Sequence, residues 1–564
     1  MLNVLPKKTL SMQTRDGVRL DADIYYPEGS GPFPVLLMRQ PYGRAIASTV
    51  VYAHPTWYAA QGYIVVIQDV RGRGSSEGEF SLFASEIADG YDTVEWVAQL
   101  PKSSGQVGMY GFSYQGMTQL YAAISGPPAL KTICPSMAAY DLYADWAYEG
   151  GAFSYQLNLS WAAQIAAETA RRHGDPDAYR ALYIAARSPN THDVVCPRSE
   201  ILERLAPNSF YHEWLRNSDS SAEYWQKLSP KTYFESVDLP MLHIGGWFDS
   251  YLRGTMQLYR AMASRSPFPQ HLWVGPWAHL PWGRRTGALD YGEAANSPID
   301  RLQVRWFDQF LKGKDTGLLN EAPVCLFEMG TNQWRKFDQF PAAQTQTVFL
   351  SSRGLACMGD QEGKLSPEAT PDPAVDACVH DPWRPVPASG GHASAPAGPF
   401  DRAALDSRTD VLTYTTAPLT EDLTIAGDLI VELYCIADTP SFDLCAVLSE
   451  VKPNGQVFNF AQGYLRVNPP EAPPGLLPPH LLAIALQPTC IRIPAGHALR
   501  LSLSAACSPA YPVNPGTGAS PYDSRLLHAQ VITVSVFSGG EFGSRLKLSV
   551  VSDRLNLDVP TLNV

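Results

Sequence analysis

The stretch VGMYGFSYQGMTQLY, Val107 to Tyr121, decides the reading of this chain. It runs apolar as a buried strand does, tightens into the knot GFSYQG at 111–116, and resumes with a helix-like face. Small flanking residues let a backbone turn sharply from strand into helix and lift the side chain at the apex out of the sheet, as a nucleophilic serine requires. Ser113 stands at that apex, with Gly111 and Gly116 as its small flanks. The match to G-x-S-x-G is imperfect, because Gln115 holds the second glycine position and the glycine follows one residue later. A serine here would equally suit a plain N-cap for the helix that begins at Tyr114. Partners elsewhere in the chain must decide between the two.

Around this stretch the pattern is that of an α/β protein. PVLLMRQ, YIVVIQDV and VGMYGFS read as strands and ASEIADGYDTVEWVAQL as a helix, an alternation that implies a parallel sheet with helices on both faces. From Tyr143 to about Val237 the pattern turns long and helical, as in YQLNLSWAAQIAAETARR, and reads as an inserted cap. The βα pattern returns with LPMLHIGGWFDSYLRGTMQLYRAM and HLWVGPWAHL and ends on SPIDRLQVRWFDQFLKG. Beyond it come short β runs, VCLFEMG, TVFLSS, VLTYTT, DLIVELYCIA, LRLSLSAA and QVITVSVF, the grammar of an all-β sandwich or jelly roll. Leu365 to about Arg402 and Pro469 to Pro479, rich in Pro, Ala and Gly, read as long loops wrapping that sandwich. The expected organisation is an α/β-hydrolase domain in two parts, 1–142 and 238–318, a helical cap at 143–237, and a C-terminal jelly-roll domain at 319–564.

Composition narrows the function classes. With 45% hydrophobic and 17% charged residues over 564 positions, the chain has the balance of an ordinary globular protein of two or three domains. Its net charge of -12 speaks against nucleic-acid or anionic-membrane partners, which reward a basic face. The nine cysteines form no CxxC pair or metal-type spacing and read as mostly buried thiols, so no metal and no cofactor is expected. No apolar run is long enough to span a bilayer, and the start lacks the apolar core of a signal peptide; a soluble cytoplasmic protein is the expectation. Composition leaves a homo-oligomer open.

A serine nucleophile needs a base, and the base an acid to fix its tautomer; in this architecture they follow in the order Ser, acid, His. Asp249 ends the apolar run MLHIGGWF and His279 ends HLWVGPWA, both at carboxyl-terminal strand ends, where open parallel sheets bind ligands. Each has a plainer reading, Asp249 as an N-cap and His279 as a loop residue. Other acids exist, notably Asp69, Asp290 and Asp300. Asp69 precedes Ser113 beside Arg71 and Arg73, where a structural ion pair is the better reading.

RQPYGR, VIQDVRGRGSSEGEF, VGMYGFSYQG, IGGWFDSY, VGPWAH, RWFDQFLKG, MGTNQWR and SPAYPVNPGTG together, in this order across nearly the whole chain, resemble the CocE/NonD serine hydrolases. That family includes cocaine-esterase-like, acylase-like and X-Pro dipeptidyl-peptidase-like enzymes, and it tolerates a residue such as Gln115 before the glycine. The resemblance implies a triad of Ser113, Asp249 and His279, and an oxyanion hole of the Tyr114 backbone N–H with the Tyr42 hydroxyl. It also implies that the cap tryptophans Trp146 and Trp161, with Phe153 between them, line an acyl pocket suited to flat or bulky groups. Relatives that act on amino-acid substrates hold an ammonium with acids; here only Asp145 and Glu149 offer themselves, and charges on cap helices are usually solvated. The reading is a cofactor-free hydrolase of neutral esters or amides. The alternatives are an X-Pro peptidase or α-amino-acid ester hydrolase of the same fold and, from another class, a non-catalytic binding protein using the sandwich. SPAYPVNPGTG is expected to pack on the catalytic domain and wall the pocket.

Overall fold

In the computed structural model, which describes residues 1–45, 49–189, 191, 193–341, 344–359, 362–468 and 479–551, ten strands share one sheet. They are β1 (Lys8–Gln13), β2 (Arg19–Tyr25), β3 (Phe33–Gln40), β4 (Ile64–Asp69), β5 (Ser103–Phe112), β6 (Leu130–Ser136), β7 (Met241–Phe248), β8 (Gln270–Ala278), β9 (Val324–Glu328) and β10 (Gln333–Phe337). The spatial order is β1-β2-β4-β3-β5-β6-β7-β8-β9-β10. From β4 to β9 every pairing is parallel, and antiparallel strands close both edges. The central strands are apolar runs without alternation because helices cover both faces; β4 is buried at every residue.

The cap enters after β6 and returns to β7. It holds helices Tyr155–Arg172, Pro176–Arg187, Glu200–Leu205, Phe210–Arg216 and Glu223–Leu228. Its inner surface merges with the sheet's helices in one apolar cluster that includes Tyr114, Trp146, Leu159 and Trp214.

The C-terminal part is mostly antiparallel β-structure, eleven strands linked by hydrogen bonds. Two expectations need correction. VCLFEMG is not a strand of this unit: Val324–Glu328 extends the first sheet parallel to β8, its five residues buried between the two domains. Within the expected loop Leu365–Arg402, Lys364–Ser366 and Ala374–His380 are strands, the latter paired with Ile532–Ser538. Its inward residues, Asp376, Cys378 and His380, alternate with exposed ones, but two of the three are polar and hide the period from a hydropathy reading. The expected loop Pro469–Pro479 lies, apart from its last residue, outside the described residues. The β domain is welded to the first one: a single apolar cluster joins Trp247, Phe248 and Leu252 to Ile425, Ile484 and Ile491. Among the described residues no helix is long and apolar enough to cross a membrane.

Candidate active site

β5 ends at Phe112, and Ser113 takes φ 60°, ψ −126° before the helix Tyr114–Ser125 begins. That left-handed backbone costs a non-glycine residue about 1–3 kcal/mol and persists only where its surroundings over-determine it. The glycine flanks are part of that determination: a Cβ on Gly111 would sit 2.4 Å from Gln115 Cβ, and one on Gly116 would sit 2.8 Å from Ala138 Cβ and 2.9 Å from Ser136 O. Gln115 fits because its position has room for a side chain, and its Oε1 accepts from the Phe112 N–H at 3.3 Å. Ser113 holds the N-cap position but its side chain makes no capping hydrogen bond, so the plain N-cap reading fails. The Ser113 N–H is anchored to Ser136 O at 3.0 Å.

β7 and β8 are parallel neighbours with Phe248 opposite Ala278, so the residues that follow them, Asp249 and His279, emerge side by side. His279 Nδ1 donates to Asp249 Oδ1 at 2.8 Å. Asp249 is fully buried and the His279 side chain is 29% exposed, so the imidazole can be reached while its partner cannot. The helix after β7 starts at Leu252 with Tyr251 as its N-cap, so Asp249 is no cap either. The imidazole is flanked by Phe112 at 5.3 Å and Tyr251 at 5.0 Å between ring centroids. Behind Asp249, Gln487 of the β domain donates through Nε2 to its carbonyl at 3.1 Å. IGGWFDSY contains Tyr251, but no pattern in the sequence marks Gln487.

Tyr42 lies on the loop after β3, with its hydroxyl near that of Ser113. The Trp161 indole N–H donates to the same phenol oxygen at 3.1 Å, which leaves the phenol's own proton to be donated. Burial pushes the phenol up to about 12, so it keeps that proton at ordinary pH. The Tyr114 N–H opens a helix and has no acceptor within it, the usual position of an oxyanion donor. Together the groups offer a hydroxyl, an imidazole oriented by a carboxylate, and two neutral donors, which suffices for acyl transfer.

The other acids are engaged elsewhere. Asp69 forms a structural ion pair, but with Arg44 rather than with the neighbouring Arg71 or Arg73. Asp290 pairs with Arg284 and Arg285, and Asp300 accepts from the Tyr58 hydroxyl at 2.5 Å.

Of the three cap aromatics, Trp146 and Trp161 stand together, their ring centroids 4.9 Å apart. Trp161 reaches Tyr42; Trp146 is buried and packs on Tyr251 at 4.5 Å, one ring away from His279. Phe153 stands apart, against Tyr148 and Tyr211. Asp145 and Glu149 are not solvated, contrary to the usual habit of cap charges; both are buried. Asp145 Oδ2 accepts from the Tyr140 and Asp141 N–H groups, and burial holds its carboxyl up near 6. Glu149 Oε2 accepts from Arg253 and His392, each at 2.7 Å, and from the Tyr511 hydroxyl, and the Arg253 guanidinium holds its carboxyl well below the usual range. Among the described residues its Oε1 has no partner, and it borders a cavity of about 20 Å³, barely room for one water. SPAYPVNPGTG meets the cap: Ala510 O accepts from the Tyr155 N–H at 2.8 Å, and Tyr511 meets Glu149.

This fold with this constellation defines the class as serine hydrolases. Residues 16–281 match the profile of the X-Pro dipeptidyl-peptidase (S15) family, and 316–537 that of the X-Pro dipeptidyl-peptidase C-terminal non-catalytic domain. The chain is 31% identical to the cocaine esterase of Rhodococcus sp. strain MB1 Bresler, over 95% of this chain and 97% of that one. An aminopeptidase from a marine sediment Thaumarchaeota archaeon superposes with TM-score 0.81 at 23% identity, and an α-amino acid ester hydrolase with 0.78 at 24%. Each of these two covers 98% of this chain and is itself covered to 97%; at such identities they show the fold. The chain belongs to the CocE/NonD family of serine hydrolases, in the S15 X-Pro dipeptidyl-peptidase-like group. The expectation of a non-catalytic binding protein is thereby set aside.

Proposed function

We propose that the chain hydrolyses neutral carboxylic esters, and amides by the same route, through an acyl-enzyme on Ser113. His279 takes the serine proton as Ser113 attacks the carbonyl and returns it to the leaving group; Asp249 holds the imidazole in the required tautomer and stabilises its charged form. The developing oxyanion takes hydrogen bonds from the Tyr114 N–H and the Tyr42 hydroxyl. Water, activated by His279, then releases the acid. The observation that carries this reading is the Asp249–His279 hydrogen bond at the ends of adjacent strands, next to a strained serine whose hydroxyl meets Tyr42.

A neutral substrate is favoured because both cap acids are buried and engaged within the fold, Asp145 by the Tyr140 and Asp141 N–H groups and Glu149 by Arg253. Glu149 is neutralised by Arg253, and the space beside it does not admit a substrate group. This supports an ester hydrolase over a peptidase or an α-amino-acid ester hydrolase, and the name of the Rhodococcus relative agrees. Aromatic or bulky acyl groups are the preferred class, since Trp161 presents a partly buried ring at the oxyanion phenol. The test is Ser113→Ala: turnover of p-nitrophenyl benzoate falls to background with the circular dichroism spectrum unchanged. Retained turnover would remove Ser113 from the mechanism.

A further inference from the structure

Between the cap and the loop after β4 lies a cavity of about 630 Å³ that does not include Ser113. It sits behind the oxyanion phenol: its wall residue Phe210 packs on Trp161 at 4.8 Å, and Trp161 holds Tyr42. Arg73 lines it at 1% exposure. Among the described residues four arginines are buried, and three have a carboxylate partner: Arg39 has Glu86, while Arg402 and Arg500 share Asp406. Arg73 has none. Its Nη1 donates to Ile165 O at 2.9 Å and Thr169 Oγ1 at 3.0 Å, its face lies 3.7 Å from the centroid of Phe80, and among the described residues its Nε has no hydrogen-bond partner. Burial pushes the guanidinium down to about 10 against the pull of the Glu168 carboxylate, which makes its own ion pair with Arg171.

A buried charge is ordinarily paired, and leaving one unpaired costs several kcal/mol. The cavity's acids do not supply the missing partner: Asp175 caps the helix Pro176–Arg187, Glu213 pairs with Arg216, and Glu79 is exposed. Arg172, on the same wall, donates to the carbonyls of Gly74 and Ser76 and likewise has no carboxylate among the described residues. The rest of the lining mixes apolar side chains with polar ones, among them His173, Asn208, Tyr224 and Lys227. We propose that this cavity binds an organic carboxylate, its head group pairing with Arg73 and its apolar body lying against Phe80, Leu82, Ile165, Phe210 and Leu228. The site is separate from Ser113 and does not depend on the esterase reading.

Isothermal titration of the full chain with 4-phenylbutyrate and with its neutral isostere 4-phenylbutyramide tests it. The acid binds at one site at least tenfold more tightly than the amide. Arg73→Met weakens the acid by roughly thirtyfold or more and erases the preference, as removing one member of a buried charge pair does. Leu205→Trp, which fills the cavity and leaves Arg73 in place, weakens acid and amide alike. Equal affinity for acid and amide, absence of binding at millimolar acid, or binding that survives both substitutions would overturn the proposal, the last by placing the acid at Ser113. The source of the carboxylate is read from p-nitrophenyl hydrogen suberate against p-nitrophenyl octanoate. If the head group belongs to the substrate, Arg73→Met lowers kcat/KM for the suberate monoester alone. If it belongs to a free acid, both esters respond alike while phenylbutyrate binding is lost; either result supports the site.

Discussion

Ser113, Asp249 and His279 each follow directly on the last residue of a parallel strand, whereas the cap's tryptophans reach the same site through intermediaries, Trp161 through Tyr42 and Trp146 through Tyr251. The strand ends fix their side chains by backbone geometry and register, the cap by packing. A change at the strand ends should therefore remove the chemistry and leave the fold, while a change in the cap should grade the chemistry or alter stability.

The largest contrast is expected from His279→Ala and Asp249→Asn. Removing the base, or the acceptor that sets its tautomer, should lower kcat by about 10⁴-fold with the fold intact. Steady-state kinetics on a p-nitrophenyl ester measures it, and a loss under about tenfold for Asp249→Asn would mean that another group orients the imidazole. Tyr42→Phe comes next, with a loss of about 10²–10³-fold in kcat, as for one oxyanion donor. Retention within about threefold would move the second donor elsewhere.

Trp161 sharpens the comparison because it belongs to both regions. Trp161→Phe keeps a six-membered aromatic ring and deletes the N–H that holds Tyr42, so kcat should fall by about five- to tenfold for acetyl and benzoyl esters alike, the worth of one hydrogen bond. Trp161→Ala should also shrink the preference for benzoyl over acetyl by about tenfold or more, the worth of the lost apolar contact. If Trp161→Phe changes nothing, the indole N–H does not position the phenol.

The smallest effect is one of stability. Burial raises the Asp145 carboxyl to about 6, above its unfolded value, so the folded chain holds this proton more tightly. The stability that proton contributes is present below the unfolded value near 4 and is lost as pH rises to about 6, leaving a buried charge that costs about 3 kcal/mol above it. Asp145→Asn should therefore raise Tm at about pH 7.5 and leave it unchanged at about pH 4. An equal shift at both pH values would assign the effect to altered hydrogen bonding.

What the sequence disclosed follows the same division. The elbow was legible because a serine between Gly111 and Gly116 at a strand–helix junction is a local backbone pattern, and Asp249 and His279 were legible as strand-end residues. Their adjacency depends on the pairing of β7 with β8, which the chain order implies but does not display. The partner of Asp69 could not be read, since Arg44 lies 25 residues earlier and meets it only through the pairing of β3 with β4. Glu149 looked like a solvated cap charge because its partners His392 and Tyr511 come from the β domain, more than 240 residues away. Arg73 looked like half of an ion pair because unpaired burial leaves no mark in a sequence.

The central claim is that Ser113 is the nucleophile and His279 activates it. Its most direct test is to treat the full chain with a fluorophosphonate and map the adduct by peptide mass spectrometry. One adduct on Ser113, absent in Ser113→Ala and strongly slowed in His279→Ala, is the predicted result. An adduct on another serine, or labelling of Ser113→Ala at the wild-type rate, would contradict it.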